Sequence, residues 1–317
     1  MKSSIFITLA LTLLFVFNIN ALNFINEDAE KVYLSLHNVK RNIKFNGDRT
    51  LDVYYDKTST NKKKRVVIHI FGGSWIQGDK VNQVKIGNLL EREGYIAVFP
   101  NYALFPNGST DDMVEDVHKA IEWTYKNISK YGGNPKKLYL TAHSSGAHVA
   151  ALTIVKSALN LENNGAPLKS LPKLKRAILM NGPYILDAAF VNYTLKGTLD
   201  TSKYDNASTP EHAAVLQKLM EVYYDNKEIS PIEILRTLDD DSVKNKFNVN
   251  KFVFLYTSED TVIPESSAKQ LLTEIIRTSS SNFEYIYEEG YTHDDLIEGA
   301  KRGDPEYQDW FMDLLDA

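Results

Sequence analysis

Two rhythms of apolar and polar residues alternate along the chain from Arg41 onward. The runs "RVVIHIF" (65–71), "YIAVFPNY" (95–102), "KKLYLTAH" (136–143), "RAILMNG" (176–182), "KFVFLYT" (251–257) and "FEYIYEE" (283–289) are short and rich in β-branched and aromatic residues. Such runs read as strands, and the unbroken apolar ones as strands buried on both faces. "NIKF" and "TLDVYYD" flank Gly47-Asp48 and predict a hairpin. Between the strands the period lengthens. Asp79 is placed to cap a helix over about 80–93, closed by Gly94. Ser109, with Asp111 and Asp112 behind it, opens a helix to about Lys130, in which Val114, Val117, Ala120, Ile121 and Trp123 keep helical spacing. A third helix runs from Ser145 to about Leu159. Alternation of this kind predicts an α/β fold, a mostly parallel central sheet with helices on both faces. The stretch from about Pro183 to Lys246 breaks the alternation. It is rich in tyrosine and carries no clear strand, so it reads as a helical cap insertion within one domain spanning 22–317.

The first 21 residues differ from the rest. Lys2 precedes 13 apolar or Thr residues, Ile5 to Phe17, and then "NINA" ends on the small Ala21. This is the layout of a secretory signal peptide. The run falls short of the roughly 20 residues of a transmembrane helix, and an uncleaved anchor stays open beside it. Four N-x-S/T sequons, at Asn107, Asn127, Asn192 and Asn206, are compatible with a secreted or secretory-pathway glycoprotein. The chain of 317 residues has no cysteine, which removes disulfides, thiolate metal sites and a cysteine nucleophile. A net charge of -5 argues against nucleic acid as a partner. The basic run Lys62 to Arg65 follows a polar "TSTN" and reads as a solvated loop.

Chemistry is expected at the carboxyl ends of the parallel strands, where four features fall. "TAHSSGAH" sets Ser144 between a buried strand and a helix, among small residues, with Ala142 where a G-x-S-x-G motif has its first glycine. Alone it reads equally well as a nucleophile elbow or as a plain turn. "FGGSWIQGDK" follows a buried strand, and Gly73 and Ser74 with Ser145 would offer backbone N–H groups to an oxyanion. A Gly-Gly turn with Trp75 as a packing residue is the alternative. "FLYTSEDTVIP" puts Glu259 and Asp260 just past a strand, with Asp260 preferred as the acid. Three histidines follow Ser144. His148 lies one turn into the helix and cannot readily face the hydroxyl, His212 falls in the insertion, and His293 follows the last strand. Ser144, Asp260, His293 is the chain order of an α/β-hydrolase triad.

With these residues in place the chain resembles the esterase branch of the α/β-hydrolases that contains the prenylcysteine α-carboxyl methylesterases, with kynurenine formamidases as near relatives. The likeness spans about Val66 to Leu315 and rests on "GGSWIQGDK", on the segment from "NYALFPNGSTDD" through "TAHSSGAHVAA", and on "HDDLIEGAKRGD". The resemblance implies Ser144 as nucleophile, Asp260 as acid and His293 as base, with no metal or cofactor. It implies a small-molecule ester substrate with an apolar part, and membrane association as an option rather than a need. Two positions depart from the pattern. Phe71 stands where relatives carry the histidine of H-G-G-x-W, and Ala103 where they carry a bracing arginine. Tyr184, Ile185, Leu186, Phe190, Tyr193, Leu216, Leu219, Met220, Tyr223 and Tyr224 of the insertion are candidates either for an apolar pocket or for packing the cap on the body. The leading expectation is a serine carboxylesterase. An N-formyl amide hydrolase and a non-catalytic binding protein on the same scaffold are the alternatives.

Overall fold

The structure is a computed structural model and describes residues 25–187, 189–191, 193–194 and 227–317. The signal-like segment, His212 and the insertion residues Leu216, Leu219, Met220, Tyr223 and Tyr224 lie outside the described residues, as do the sequon asparagines 192 and 206.

One eight-stranded sheet carries the fold. Its strands are β1 (Val39–Asn46), β2 (Arg49–Tyr54), β3 (Lys64–Ile70), β4 (Ile96–Pro100), β5 (Gly133–His143), β8 (Leu174–Met180), β9 (Lys251–Thr257) and β10 (Asn282–Glu288), in the order β1-β2-β4-β3-β5-β8-β9-β10. β6 (Glu162–Asn163) and β7 (Ala166–Pro167) form a separate small pair. From β4 to β10 every pairing is parallel; the β1–β2 hairpin joins the edge antiparallel. The strand order reverses direction at β3 and β5, which are neighbours. The crevice at such a switch point is where an open α/β sheet collects its ligands.

Alternation along each strand feeds two cores. Val66, Ile68 and Ile70 of β3 point to one and Val67 to the other; Phe252 and Phe254 of β9 point to the first, Val253 and Leu255 to the second. The first core is covered by α3 (Thr110–Asn127), α4 (Ser145–Ala158), α5 (Pro231–Arg236) and α6 (Glu265–Thr278). The second lies under α1 (Glu27–Ser35), α2 (Val84–Arg92), α7 (Asp295–Arg302) and α8 (Pro305–Asp316). Because both faces are covered, strands β3, β4 and β9 are buried almost throughout, which is why they read as continuous apolar runs.

The expected caps form. Ser109 makes a capping box with Asp112 at the start of α3. Asp79 accepts from Val81 N, though the first turn after it is a 3-10 helix, Lys80–Gln83, with α2 following. α3 ends at Asn127, and a 3-10 turn carries the chain on to Tyr131. Of the expected insertion, Tyr184, Ile185 and Phe190 are buried in the first core, so these three are packing residues. Lys62 and Lys63 are exposed in the loop before β3, while Lys64 opens that strand. No helix among the described residues is long and apolar enough to cross a membrane.

Candidate active site

Between Leu140 and Ala158 every residue is buried except Ser144. The chain leaves β5 at His143, turns at Ser144 and enters α4 at Ser145. Ser144 has φ 53° and ψ -128°, a left-handed backbone that a non-glycine residue adopts only where the surroundings enforce it. Three contacts enforce it. Ser144 N donates to Met180 O at 2.9 Å, anchoring the turn to β8, and Ala147 N donates to Ser144 O at 2.9 Å. A Cβ at Gly146 would lie 2.3 Å from Phe71 O and 2.5 Å from Ile70 O, so only glycine lets α4 start this close to β3. Ala142 is fully buried in regular strand backbone, paired in register with Ile70 and Leu179. The first position of the motif therefore needs a small side chain and not a positive φ.

His293 sits in the loop between β10 and α7. Its Nδ1 donates to Asp260 Oδ2 at 2.7 Å, and its Nε2 accepts from Ser144 Oγ at 2.9 Å. The order of these bonds fixes the tautomer, since the carboxylate takes the Nδ1 proton and leaves the Nε2 lone pair for the serine. Asp260, just past β9, is 2% exposed, whereas Glu259 beside it is exposed, so burial separates the two carboxylates. Both Asp260 oxygens are used. Oδ1 accepts from the N–H groups of Val262 and Ile263 at 2.8 Å each, and Oδ2 also accepts from Asn181 Nδ2 at 2.7 Å. Burial pushes the Asp260 pKa up, but His293 and these donors outweigh it and hold the carboxyl below its ordinary value. Burial likewise opposes the charged form of His293; the Asp260 and Asp294 carboxylates prevail and raise its pKa to about 9.

The loop after β3 lies against this elbow. A Cβ at Gly72 would come within 2.9 Å of Ser144 Cβ and of His143 O. Gly73, Ser74 and Trp75 follow with φ of 137°, 52° and 62°. Among the described residues the N–H groups of Gly73, Ser74 and Ser145 meet no hydrogen-bond acceptor. Unsatisfied donors beside a serine hydroxyl are what an oxyanion site requires. Phe71, in place of the histidine of the resemblance, is buried against Tyr102 with ring centroids 4.7 Å apart, and Tyr102 Oη donates to Phe71 O at 2.8 Å. The far end of the loop is tied down by Lys80, whose buried ammonium meets Asp52 at 2.9 Å and Asn42 Oδ1 at 2.7 Å. Where the bracing arginine is replaced by Ala103, its N–H donates to Asp116 Oδ2 at 2.9 Å, and Arg49 of β2 reaches the same oxygen at 3.1 Å.

Several functional neighbours went unnoticed in the sequence. Asn181 bridges Asp260 and Thr257 Oγ1, and Thr257 Oγ1 in turn donates to Thr292 O at 3.0 Å beside His293. His143 Nε2 donates to His293 O at 2.9 Å. Tyr193 Oη donates to Asp260 O at 2.6 Å. Asn181 and Tyr102 each sit just past the carboxyl end of a strand, and that position was the available signal. His143, His293 and Asp294 bring ligand-type atoms within 4.8 Å of one another, yet His293 spends both ring nitrogens on Ser144 and Asp260.

The geometry agrees with what known proteins resemble this chain. A probable isoprenylcysteine alpha-carbonyl methylesterase of Oryza sativa subsp. japonica is 27% identical over 249 residues, covering 78% of this chain and 54% of the relative. A kynurenine formamidase of Danio rerio is 30% identical over 161 residues, 50% of this chain and 51% of the relative. The chain thus spans about half the length of these curated relatives. The solved structure of esterase B from Lactobacillus rhamnosis, inhibited with a tributyrin phosphonate, superposes with a TM-score of 0.61 at 16% identity, covering 91% of this chain and 90% of that one. That likeness shows the α/β-hydrolase fold. The model of the BD-FAE family matches residues 51–255, from β2 through β9, and so includes the loop after β3, the Ser144 elbow and Asn181. The chain belongs to the BD-FAE family.

Proposed function

We propose that this esterase hydrolyses small carboxylic esters through Ser144, His293 and Asp260. The carrying observation is the continuous relay from Ser144 Oγ through both nitrogens of His293 to a buried, four-fold hydrogen-bonded Asp260. In the first step His293 Nε2 takes the Ser144 proton as Oγ attacks the ester carbonyl. Asp260 holds the ring's tautomer and stabilises the imidazolium that forms. The N–H groups of Gly73, Ser74 and Ser145 receive the oxyanion, each such donor contributing about 3–4 kcal/mol to the transition state. His293 then protonates the leaving alcohol, and water, activated by the same nitrogen, releases the acyl group from Ser144. The mechanism needs no metal or cofactor.

The relatives suggest what the ester looks like. The plant proteins' names point to methyl esters of prenylcysteine, and the tributyrin phosphonate on esterase B points to short acyl chains. A short-chain or methyl ester with an apolar part is the reading that joins the two. The kynurenine formamidase match favours a second reading with the same triad, the hydrolysis of an N-formyl amide. We also infer that the segment 1–21 directs the chain into the secretory pathway, on the layout of its charged, apolar and small residues.

A fluorophosphonate probe is expected to label Ser144 and no other residue. In Ser144→Ala, p-nitrophenyl acetate hydrolysis should fall at least about a thousandfold while the thermal midpoint holds. Retained turnover in that variant would reject the mechanism. Turnover of N-formylkynurenine without turnover of any ester, in a series from acetate to longer chains and a prenylcysteine methyl ester, would select the amide reading.

A further inference from the structure

His148 belongs to the first turn of α4, four residues past the nucleophile, and its ring is only 1% exposed. It does not face Ser144. Its Nδ1 lies 3.1 Å from Trp75 Nε1, with the two rings edge-on at 86°. Its Nε2 lies 2.7 Å from Ile229 O. An indole N–H can only donate and a carbonyl can only accept, so the two partners permit one tautomer: a lone pair on Nδ1 and the proton on Nε2. Burial lowers the pKa of the ring to about 4, which keeps it in that neutral form wherever His293 is free to act as a base.

The two partners have separate places in the fold. Trp75 lies in the loop after β3, directly after Gly73 and Ser74. Ile229 lies in the described part of the expected insertion, next to residues that hydrogen-bond to its opening segment at Tyr184. Ser230 Oγ donates to Tyr184 O at 2.9 Å, and Tyr184 N is held in turn by Ser267 Oγ at 2.7 Å. Ser74 and Trp75 both have positive φ, a conformation that costs on the order of 1–3 kcal/mol per residue and persists only when outside contacts impose it. Ile76 N and Gln77 N close the turn on Gly73 O, Phe105 N donates to Trp75 O at 2.8 Å, and the bond to His148 is what orients the Trp75 ring, which packs in the first core.

We propose that His148 is a positioning residue that clamps the loop carrying Gly73 and Ser74 to the segment at Ile229, and so sets the oxyanion donors. The inference rests on the reading of those N–H groups given under the proposed function. It assigns a catalytic consequence to a side chain that touches no reacting atom. It also means that the segment at Ile229 helps to fix the geometry at the carbonyl.

Three variants test this against p-nitrophenyl acetate, with Ser144→Ala as control. His148→Leu removes both hydrogen bonds at similar volume. Trp75→Phe removes the same bond from the other side. His148→Gln keeps one acceptor and one donor. His148→Leu should lower kcat about 10- to 100-fold, with KM changed less than about twofold. Trp75→Phe should do much the same, and the double variant should lose no more than the worse single. His148→Gln should recover most of the rate. Hydrogen exchange of the 72–78 segment should quicken in His148→Leu. A folded His148→Leu with unchanged kcat, or additive losses in the double variant, overturns the proposal. If His148→Leu does not fold, Trp75→Phe decides alone: an unchanged kcat there overturns it. Turnover that survives in Ser144→Ala rejects the triad itself, a result distinct from an unchanged His148→Leu.

Discussion

After β5 the chain turns within a single residue, Ser144, and is at once helical; after β3 it takes the nine residues from Phe71 to Asp79 before the next helical turn begins at Lys80. The two segments touch, and both carry positive φ at non-glycine residues. Different contacts hold them. The elbow is fixed by its own small residues, wedged between neighbouring strands, with one anchor to Met180 O. The loop closes on itself through Ile76 N and Gln77 N on Gly73 O, and groups from elsewhere fix its place: Tyr102 on Phe71 O, His148 on Trp75, the Phe105 N–H on Trp75 O, and Lys80 on Asp52. The proposed nucleophile, held by local sterics, and the proposed oxyanion loop, placed by distant hydrogen bonds, should fail in different ways when altered.

The largest effect is expected at the elbow. Gly146→Val places a side chain where Phe71 O and Ile70 O lie within 2.5 Å, and both are backbone atoms of the loop and its strand. Neither can yield without moving β3, so the variant should lose at least about 3 kcal/mol of stability and all turnover, read by urea unfolding and an ester assay.

Next comes the pH dependence set by His293, the proposed base. Because the His293 pKa is raised to about 9, kcat/KM should fall on acidification with a midpoint well above the 6.5 of a free imidazole. A midpoint at or below 6.5 would contradict the electrostatic account of the Asp260 pair. Stability should follow with the sign set by linkage. The protonated His293 contributes fully below about 6.5, and that contribution is lost as pH rises through about 9. His69, His143 and His148 act in the opposite sense. Burial lowers their pKa values to about 3, 4 and 4, so stability drops as pH falls from 6.5 toward that range. The thermal midpoint should therefore decline on both sides of about pH 6.5.

Tyr102→Phe tests the loop. It removes the hydrogen bond to the buried Phe71 carbonyl, which should cost about 1 kcal/mol of stability and lower kcat roughly three- to tenfold. The smallest functional effect is expected for Ala142→Gly, which completes the glycine motif. Strand glycine should cost about 1 kcal/mol and leave kcat unchanged, because Ala142 already has ordinary strand backbone. A larger fall in kcat for Ala142→Gly than for Tyr102→Phe would erase the contrast between the two segments.

Much of this architecture was legible in the chain. Buried strands announce themselves as apolar runs because both sheet faces are covered, and Ser109 and Asp79 mark helix starts through bonds to residues two or three positions away. α1 escaped notice because Tyr33 is its one buried residue, too little to impose a period. β6 and β7 are two residues each, too short to carry a pattern. The site divides along the same line. Ser144, Asp260 and His293 could be ordered from their places after strands. The preference for Asp260 over Glu259 had no physical basis until burial separated them.

What the sequence determined by itself is what depends on neighbours along the chain: the strand and helix periods, the caps, the small-residue elbow, and the order of serine, acid and histidine. Tertiary structure alone decided which distant groups meet. Asn181 on Asp260, Tyr102 on Phe71, and His148 between Trp75 and Ile229 join residues 79, 31, 73 and 81 positions apart. A hydrogen bond depends on an angle and on about 3 Å of separation, and neither leaves a trace in composition or period. Only the folded sheet, by bringing the ends of β3, β5, β8 and β9 to one edge, makes those contacts, and with them the site.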